Sequence, residues 1–169
     1  QPPLASYHAI LRVHSDAYIE SAQTPATMSQ IVASPVSDRD TQRILDLQRS
    51  MVGGTMLATD IALSTGSVAV NLGGGFHHAR ATSGRGFCVF NDVAVAIRRA
   101  LGARLAGSAA VLDLDVHQGN GTAAIFAGDR RVYTASIHEA DTYPYVKPPS
   151  ALDVGLPRGT TDDEYLAHL

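Results

Sequence analysis

Hydrophobic residues along this chain follow two different spacings, which predict the order of its helices and strands. From Thr41 to Leu63 the apolar residues recur at helical intervals, and the pair Gly53 and Gly54 weakens the middle of this helix while permitting close packing. Three other segments are nearly continuous apolar runs, the pattern of strands buried on both faces. These runs are residues 66–78, 111–117 and 130–138, with helical patterns at 91–105 and 119–128 between them. The alternation predicts an α/β fold with a mostly parallel sheet and helices on both faces.

The segments outside this alternation are assigned from local signals. Residues 4–22 predict a short helix and turn, residues 26–40 a polar loop interrupted by proline, and residues 143–150 a Pro-rich loop. Two predicted helices begin with capping signals: Ser37 with Asp40 before the long helix, and Thr161 with Glu164 before a terminal helix.

Composition and charge narrow the classes of function. The chain has 169 residues, of which 45% are hydrophobic, and this suits one globular domain with a sizeable core. A formal net charge of -3 without a basic cluster argues against nucleic-acid partners and against a basic helix on a membrane surface. Because no apolar run approaches the roughly 20 residues that span a bilayer, we expect no membrane partner and a cytoplasmic protein.

The chain also lacks several sequence motifs of known catalytic and binding sites. Its single cysteine, Cys88, excludes internal disulfides and Cys-rich zinc modules, and its apolar surroundings predict a buried structural role. A phosphate-binding loop, a dinucleotide fingerprint and a serine nucleophile elbow are all absent from the sequence. Any metal site must therefore use histidines and carboxylates.

Polar side chains cluster where the three predicted strands end. The first run ends in the letters GGGFHH, the second in DLDVHQGNG and the third in ASIHEAD. In parallel sheets ligands bind beyond the carboxyl ends of the strands, so we expect one cleft at this edge. Asp113, Asp115 and His117 alternate along one strand and would point to the same side. Asp115 and His117 are candidate ligands of one metal ion, and the alternatives are a buried hydrogen-bonded network or a helix N-cap cluster.

Two adjacent histidines complete the candidate site. His77 and His78 follow three glycines, where the backbone can turn tightly, and their position facing the second strand predicts acid and base catalysis. Asp113 and Asn120 are candidates to orient the two rings. The remaining candidates, His8, His14 and His168, are interpreted as surface or packing residues.

The motifs GGGFHHA, GFCVFNDVAVAI, VLDLDVHQGNGT and ASIH, in this order, resemble the metal-dependent histone deacetylase superfamily, and DLDVHQGNG is most similar to its class IV branch. The resemblance implies a three-layer arginase/deacetylase-like fold and assigns residues 1–169 to a single, partial catalytic domain. It also implies that the fold is incomplete, because the family's third metal ligand and its catalytic tyrosine belong to segments expected after Leu169 and its opening strand to a segment before Gln1. We therefore expect a partner chain or a domain-swapped dimer to complete the fold.

The resemblance also implies a role for each residue of the site. Asp115 and His117 would bind zinc, with Fe²⁺ as an alternative, and His77 and His78 would be the acid/base pair, backed by Asp113 and Asn120. Gly86 and Phe87 would line the tunnel for an acyl-lysine. A structural potassium ion is expected near Asp113, Asp115, His117, Ser136 and Ile137.

Three hypotheses of function follow. The leading one is a zinc-dependent amidohydrolase that, in a complete parent protein, removes an acetyl or other acyl group from a lysine, a peptide or a polyamine. The second is an inactive truncated fragment that acts as an interaction module. The third, an arginase-like dinuclear hydrolase, is less favoured because Gly119 stands where that fold places a further aspartate.

Overall fold

A computed structural model describes residues 2–169. It contains seven helices and three strands in this part of the chain, numbered here in chain order. The helices are α1 (Tyr7–Ile10), α2 (Asp16–Ala22), α3 (Pro25–Val32), α4 (Asp38–Thr65), α5 (Asp92–Gly102), α6 (Asn120–Phe126) and α7 (Asp162–Leu166). The strands are β1 (Ala109–Asp113), β2 (Val132–Glu139) and β3 (Leu152–Leu156).

The three strands form one parallel sheet in the order β1, β2, β3. Helix α6 connects β1 to β2, whereas β2 reaches β3 through the loop of residues 140–151. All three strands run in the same direction, so their carboxyl ends lie at one edge, and Asp113 pairs with Ser136 there. This parallel sheet with associated helices is the fold class predicted from the sequence.

Two clusters of buried side chains hold the helices in place. The larger one joins α1 to α5 around Ile10, Met28, Leu45 and Phe90, each of which is at most 1% exposed. The smaller one joins α5 and α6 to the start of β2. Its members are Ala94, Leu101, Phe126 and Val132. Burial of these side chains is the main stabilising term of the fold.

The long helix α4 begins and packs as its sequence predicts. The Ser37 hydroxyl accepts a hydrogen bond from the backbone N–H of Asp40, which caps the helix. A side chain at Gly53 would place its Cβ 1.8 Å from the carbonyl oxygen of Pro3. The glycine pair therefore permits close packing, but against the extended N-terminal segment instead of another helix.

The structure differs from the sequence prediction in three segments. Residues 66–78 were expected to be a strand, yet they form no ladder, and the side chains of Val68, Val70 and Leu72 are 92%, 75% and 97% exposed. An apolar run becomes a strand only where a neighbouring strand supplies hydrogen bonds. Here β1 pairs with β2 and not with residues 66–78.

The other two differences concern segments assigned to loops or left unassigned. The expected loop at 26–40 contains α3, which Thr24 caps and Pro25 starts, because proline is favourable in a first helical turn. The five-residue strand β3 was not predicted from the sequence, since its apolar residues form a strand only when β2 lies beside them to pair with.

One face of the sheet carries partly exposed apolar side chains. Leu112, Tyr133 and Leu152 are each about half exposed, whereas Ala135, which pairs with both Leu112 and Leu152, is buried. None of the helices in residues 2–169 combines the length and apolar character needed to cross a membrane.

Candidate active site

The predicted cleft forms at the carboxyl edge of the sheet. Asp113 is the last residue of β1, and Asp115 and His117 follow it in the turn before α6. The backbone N–H of Glu139, at the end of β2, donates to the carbonyl oxygen of Val116 and holds this turn against the sheet. The loop that carries His77 lies across the same edge, so residues from three distant parts of the sequence meet there.

Each of the two adjacent histidines has its own acceptor. The Nδ1–H of His77 donates to Asp113 Oδ2 at 2.7 Å, and the Nδ1–H of His78 donates to Asn120 Oδ1 at 2.8 Å. The two ring centroids are 4.1 Å apart. Because each Nδ1 is engaged as a donor, each Nε2 is the nitrogen left to accept or carry a proton in the cleft. Asp113 and Asn120 are thus the residues that lie beside the two rings.

The two histidines differ in charge environment. Burial lowers the pKa of His78 to about 4, and the neighbouring ring of His77 lowers it further while the bond to Asn120 opposes this. His78 is 6% exposed and is therefore neutral at pH 7. The ring of His77 instead has the carboxylate of Asp113 beside it, with its Nδ1 2.7 Å from Asp113 Oδ2. The pair combines a neutral base with a carboxylate-supported ring.

Asp115 and His117, the candidate metal ligands, lie side by side in the cleft. Oδ1 of Asp115 is 3.0 Å from Nδ1 of His117 and also accepts the backbone N–H of His117. Burial raises the pKa of the Asp115 carboxyl, but the two bonds from His117 and the nearby ring of His77 outweigh this and lower it. Asp115 is thus a carboxylate at neutral pH and available to a cation.

The glycine loop before His77 is held from below by a buried carboxylate. Asp92, which is fully buried at the start of α5, accepts hydrogen bonds from the backbone N–H groups of Gly75 and Phe76 and from the hydroxyl of Thr55. A Cβ at Gly74 would lie 2.5 Å from Asp92 Oδ2. Glycine is therefore required there for the loop to approach Asp92. The sequence analysis did not single out Asp92.

A second glycine contact joins α6 to the histidine pair. The backbone N–H groups of Gly121 and Thr122 both donate to the carbonyl oxygen of His77. A Cβ at Gly121 would lie only 2.3 Å from the carbonyl oxygen of Ala79. The GNGT segment, interpreted as a turn before a helix, thus also fixes the backbone that carries His77 and His78.

His14, interpreted as a surface or packing residue, is a buried packing residue against Tyr18 and Phe90, and it also makes two hydrogen bonds. It is 2% exposed; its Nδ1–H donates to the carbonyl oxygen of Arg80, and its Nε2 accepts the backbone N–H of Asn91. Burial lowers its pKa to about 4. His14 therefore ties the loop after the histidine pair to the start of α5.

A cleft of about 580 Å³ opens above the histidines. Gly86 and Phe87 line it, both at positive φ, and the side chain of Phe87 is exposed. Across from them the ring of Tyr143 stands nearly perpendicular to that of His78, with the centroids 4.8 Å apart. The sequence analysis gave Tyr143 no role, although an aromatic residue in the Pro-rich loop after the third strand was the available signal.

The residues expected to hold potassium lie at the adjoining strand end. Ser136 and Ile137 are buried in β2, and the Ser136 hydroxyl is 2.9 Å from His138 Nδ1. Asp113 is paired with Ser136 across the sheet. Cys88 is buried beside the cleft, and burial raises the pKa of its thiol to about 11, in agreement with the inert role predicted for it.

Comparisons with known proteins identify the family of this chain. The family model described as histone deacetylase domain matches residues 1–169. Histone deacetylase 2 of Arabidopsis thaliana is 37% identical over 177 residues, which cover 100% of this chain and 46% of that protein. Acetoin utilization protein AcuC of Bacillus subtilis is 33% identical over 152 residues, which cover 84% of this chain and 38% of that protein. The chain thus spans less than half the length of these two relatives.

The fold has counterparts among solved structures. An HDAC homolog from Aquifex aeolicus matches with a TM-score of 0.81 at 24% sequence identity, over 98% of this chain and 50% of that one. The structure of an HDAC homolog complexed with SAHA matches with the same TM-score and coverage. Since the family model spans all 169 residues, the chain belongs to the histone deacetylase domain family.

Proposed function

We propose that the protein carrying this chain hydrolyses the amide bond of an acylated amine, most simply an acetylated lysine in a peptide, with a free polyamine as an alternative. The observation that carries this proposal is the pair of adjacent histidines, each hydrogen-bonded to its own acceptor, at the floor of an apolar-walled cleft. Family membership and the deacetylase names of the relatives support it.

We assign the metal to Asp115 and His117, with zinc as the first choice and Fe²⁺ as the alternative. Zinc bonds to carboxylate oxygen and imidazole nitrogen are about 2.0–2.2 Å long, so two donor atoms 3.0 Å apart can contact one ion. Within residues 2–169, however, no group of three His, Cys, Asp or Glu side chains is placed to hold a metal. The site is therefore two ligands of a larger set, and we propose that the rest of the protein or a partner chain supplies the others.

The side chains of this chain would divide the proton transfers between them. Bound zinc supplies a Lewis acid for an amide carbonyl and for water. His78 is neutral and accepts a proton from the attacking water at Nε2, while His77, supported by Asp113, protonates the nitrogen of the leaving amine. The carbon–nitrogen bond breaks, and the products are a carboxylate and an amine. Phe87 and Tyr143 would enclose the alkyl chain and exclude bulk water.

We propose further that a structural potassium ion binds near Asp113, Asp115, His117, Ser136 and Ile137. Asp113 and Ser136 are neighbours across the sheet, and this supports their share of such a site. The half-exposed apolar face of Leu112, Tyr133 and Leu152 supports the proposal that a partner chain or a domain-swapped copy completes the sheet. A cytoplasmic location is proposed from the single cysteine.

The test combines metal content with turnover of an acetyl-lysine reporter. We expect the full-length gene product to hold about one zinc per chain and to cleave the reporter. The substitution His78→Ala should nearly abolish turnover while leaving zinc bound, and His168→Ala, at an exposed histidine in the last residues of the chain, is the matched control. Full activity of His78→Ala would refute the assigned role.

An inactive interaction module is the second candidate, because residues 2–169 provide only two of the metal ligands. It predicts neither zinc nor turnover in the full-length gene product. Stoichiometric zinc that persists after treatment with a chelator would exclude it.

A further inference from the structure

A second recess adjoins the cleft and has a different chemical character. It has a volume of about 340 Å³ and shares His78, Arg85 and Tyr143 with the cleft. Its other walls include Arg80 and Ser83. No aspartate or glutamate lines it, although the chain as a whole carries a net charge of -3. The recess is therefore a local concentration of positive charge on an acidic protein.

The side chains of the two arginines in the recess have no hydrogen-bond or ion-pair partner within residues 2–169. In the described part of the chain, neither guanidinium of Arg80 and Arg85 makes a hydrogen bond or an ion pair with protein. By contrast, Arg98 is paired with Asp129 and Arg99 with Asp60. Arg80 is a partly buried residue, and its guanidinium has free donors for an acceptor in the recess. An anion from outside would satisfy it.

The backbone on which these arginines stand is well fixed. The N–H of Arg80 donates to the carbonyl oxygen of Ser83 at 2.8 Å, and Arg85 exchanges two backbone hydrogen bonds with Cys88. His14 also restrains this segment, because its Nδ1–H donates a hydrogen bond to the carbonyl oxygen of Arg80.

We propose that Arg80 and Arg85 bind the carboxylate of an acidic residue next to the acylated lysine of a peptide substrate. This inference rests on the proposed function, since Arg85 lines both the cleft and the recess and is exposed at their shared rim. A lysine side chain entering the cleft leaves its neighbouring residues at this rim. Guanidinium groups match the planar geometry of a carboxylate and can hold it through two hydrogen bonds.

The experiment compares kcat/KM for acetyl-lysine peptides that differ in one flanking residue, using the full-length gene product. The peptides carry Asp, Asn or Lys on either side of the acetyl-lysine and end in an amide, and a further Asn peptide ends in a free carboxylate. We expect the Asp peptide to exceed the Asn peptide by about tenfold at low salt, with the preference falling as salt screens the charges. A preference for the free carboxylate alone would assign the site to a chain terminus and overturn the proposal.

Substitutions of the arginines provide the decisive comparison. Arg85→Gln should bring the Asp and Asn peptides to nearly equal kcat/KM, and Arg85→Glu should invert the preference toward the Lys peptide. Arg80→Gln should reduce the Asp preference and serves as a second variant should Arg85→Glu fold poorly. The control is Arg130→Glu, which makes the same charge change at an exposed position just before β2, at the opposite end of the sheet.

The outcomes separate this inference from the proposed function. Cleavage of all the peptides with equal kcat/KM, unchanged by Arg85→Glu, would overturn the carboxylate site while leaving the deacetylase proposal intact. Failure to cleave any of them would refute the proposed function and this inference with it. An equal response to Arg85→Glu and Arg130→Glu would show that only overall charge matters, and this too would overturn the site.

Discussion

The buried histidine His14 leads to a prediction about how stability depends on pH. In the folded chain its pKa is lowered from 6.5 to about 4, chiefly by burial. The folded protein therefore keeps His14 neutral in a pH range where the unfolded chain binds a proton. Because the unfolded state binds more protons between those two values, the free energy of unfolding falls as pH decreases through that window.

The magnitude follows from the two pKa values. One pKa unit corresponds to about 1.4 kcal/mol, so the full effect of His14 is about 3 kcal/mol, reached near pH 4. Between pH 7 and pH 5 the expected loss is about 2 kcal/mol. This contribution is fully present above pH 6.5 and is lost progressively below it. For a domain with a typical stability of about 5–15 kcal/mol, such a loss is readily measured.

The assay is urea denaturation at pH 7 and at pH 5, followed by far-UV circular dichroism. The variant His14→Gln keeps an amide N–H for the carbonyl oxygen of Arg80 and an amide oxygen for the N–H of Asn91, but it cannot take up a proton. We expect its stability to change with pH by about 2 kcal/mol less than that of the wild type. The exposed histidine of α1 provides the control His8→Gln. Equal losses for wild type and His14→Gln would refute the reasoning.

Three further predictions concern the support of the histidine pair. Asp92→Ala leaves two backbone N–H groups of the glycine loop unpaired and should lower the free energy of unfolding, measured by urea denaturation, by about 3–5 kcal/mol. Asp92→Asn retains an acceptor oxygen and should lower it by less. Equal losses for the two variants would contradict this. Gly121→Ala forces a Cβ into backbone and should cost more than about 2 kcal/mol, while Gly107→Ala, with open space around it, should be nearly neutral. Asn120→Asp places a carboxylate beside His78 and should raise the pKa of His78 in an NMR titration of the metal-free chain; an unchanged pKa would count against the observed pairing.

The sequence predicted the elements whose signals are local. Ser37 and Thr161 start helices because each capping side chain acts within three residues of its own position. The rule that parallel strands end at one edge predicted only that Asp113 and Asn120 would lie near the two histidines. Which of them contacts which ring was implied by the family resemblance, and the structure has His77 beside Asp113 and His78 beside Asn120.

Signals that depend on a neighbour failed. The apolar run at 66–78 resembles a strand, but pairing decides whether a strand forms, and the same uncertainty concealed β3. The role of Tyr143 was missed for a similar reason, since nothing near it in the chain indicates that its ring will stand 4.8 Å from His78.

By itself the sequence determined which residues are candidates for the chemistry, since residue type and spacing set the donors, acceptors and candidate ligands. Only the tertiary structure decided what holds them: Asp92 beneath the glycine loop, and His14 linked across 77 positions to the N–H of Asn91. Such contacts join segments far apart in the chain, and no local pattern encodes which buried polar group will satisfy which. They are selected when the core closes, because a buried donor or acceptor without a partner is too costly to keep.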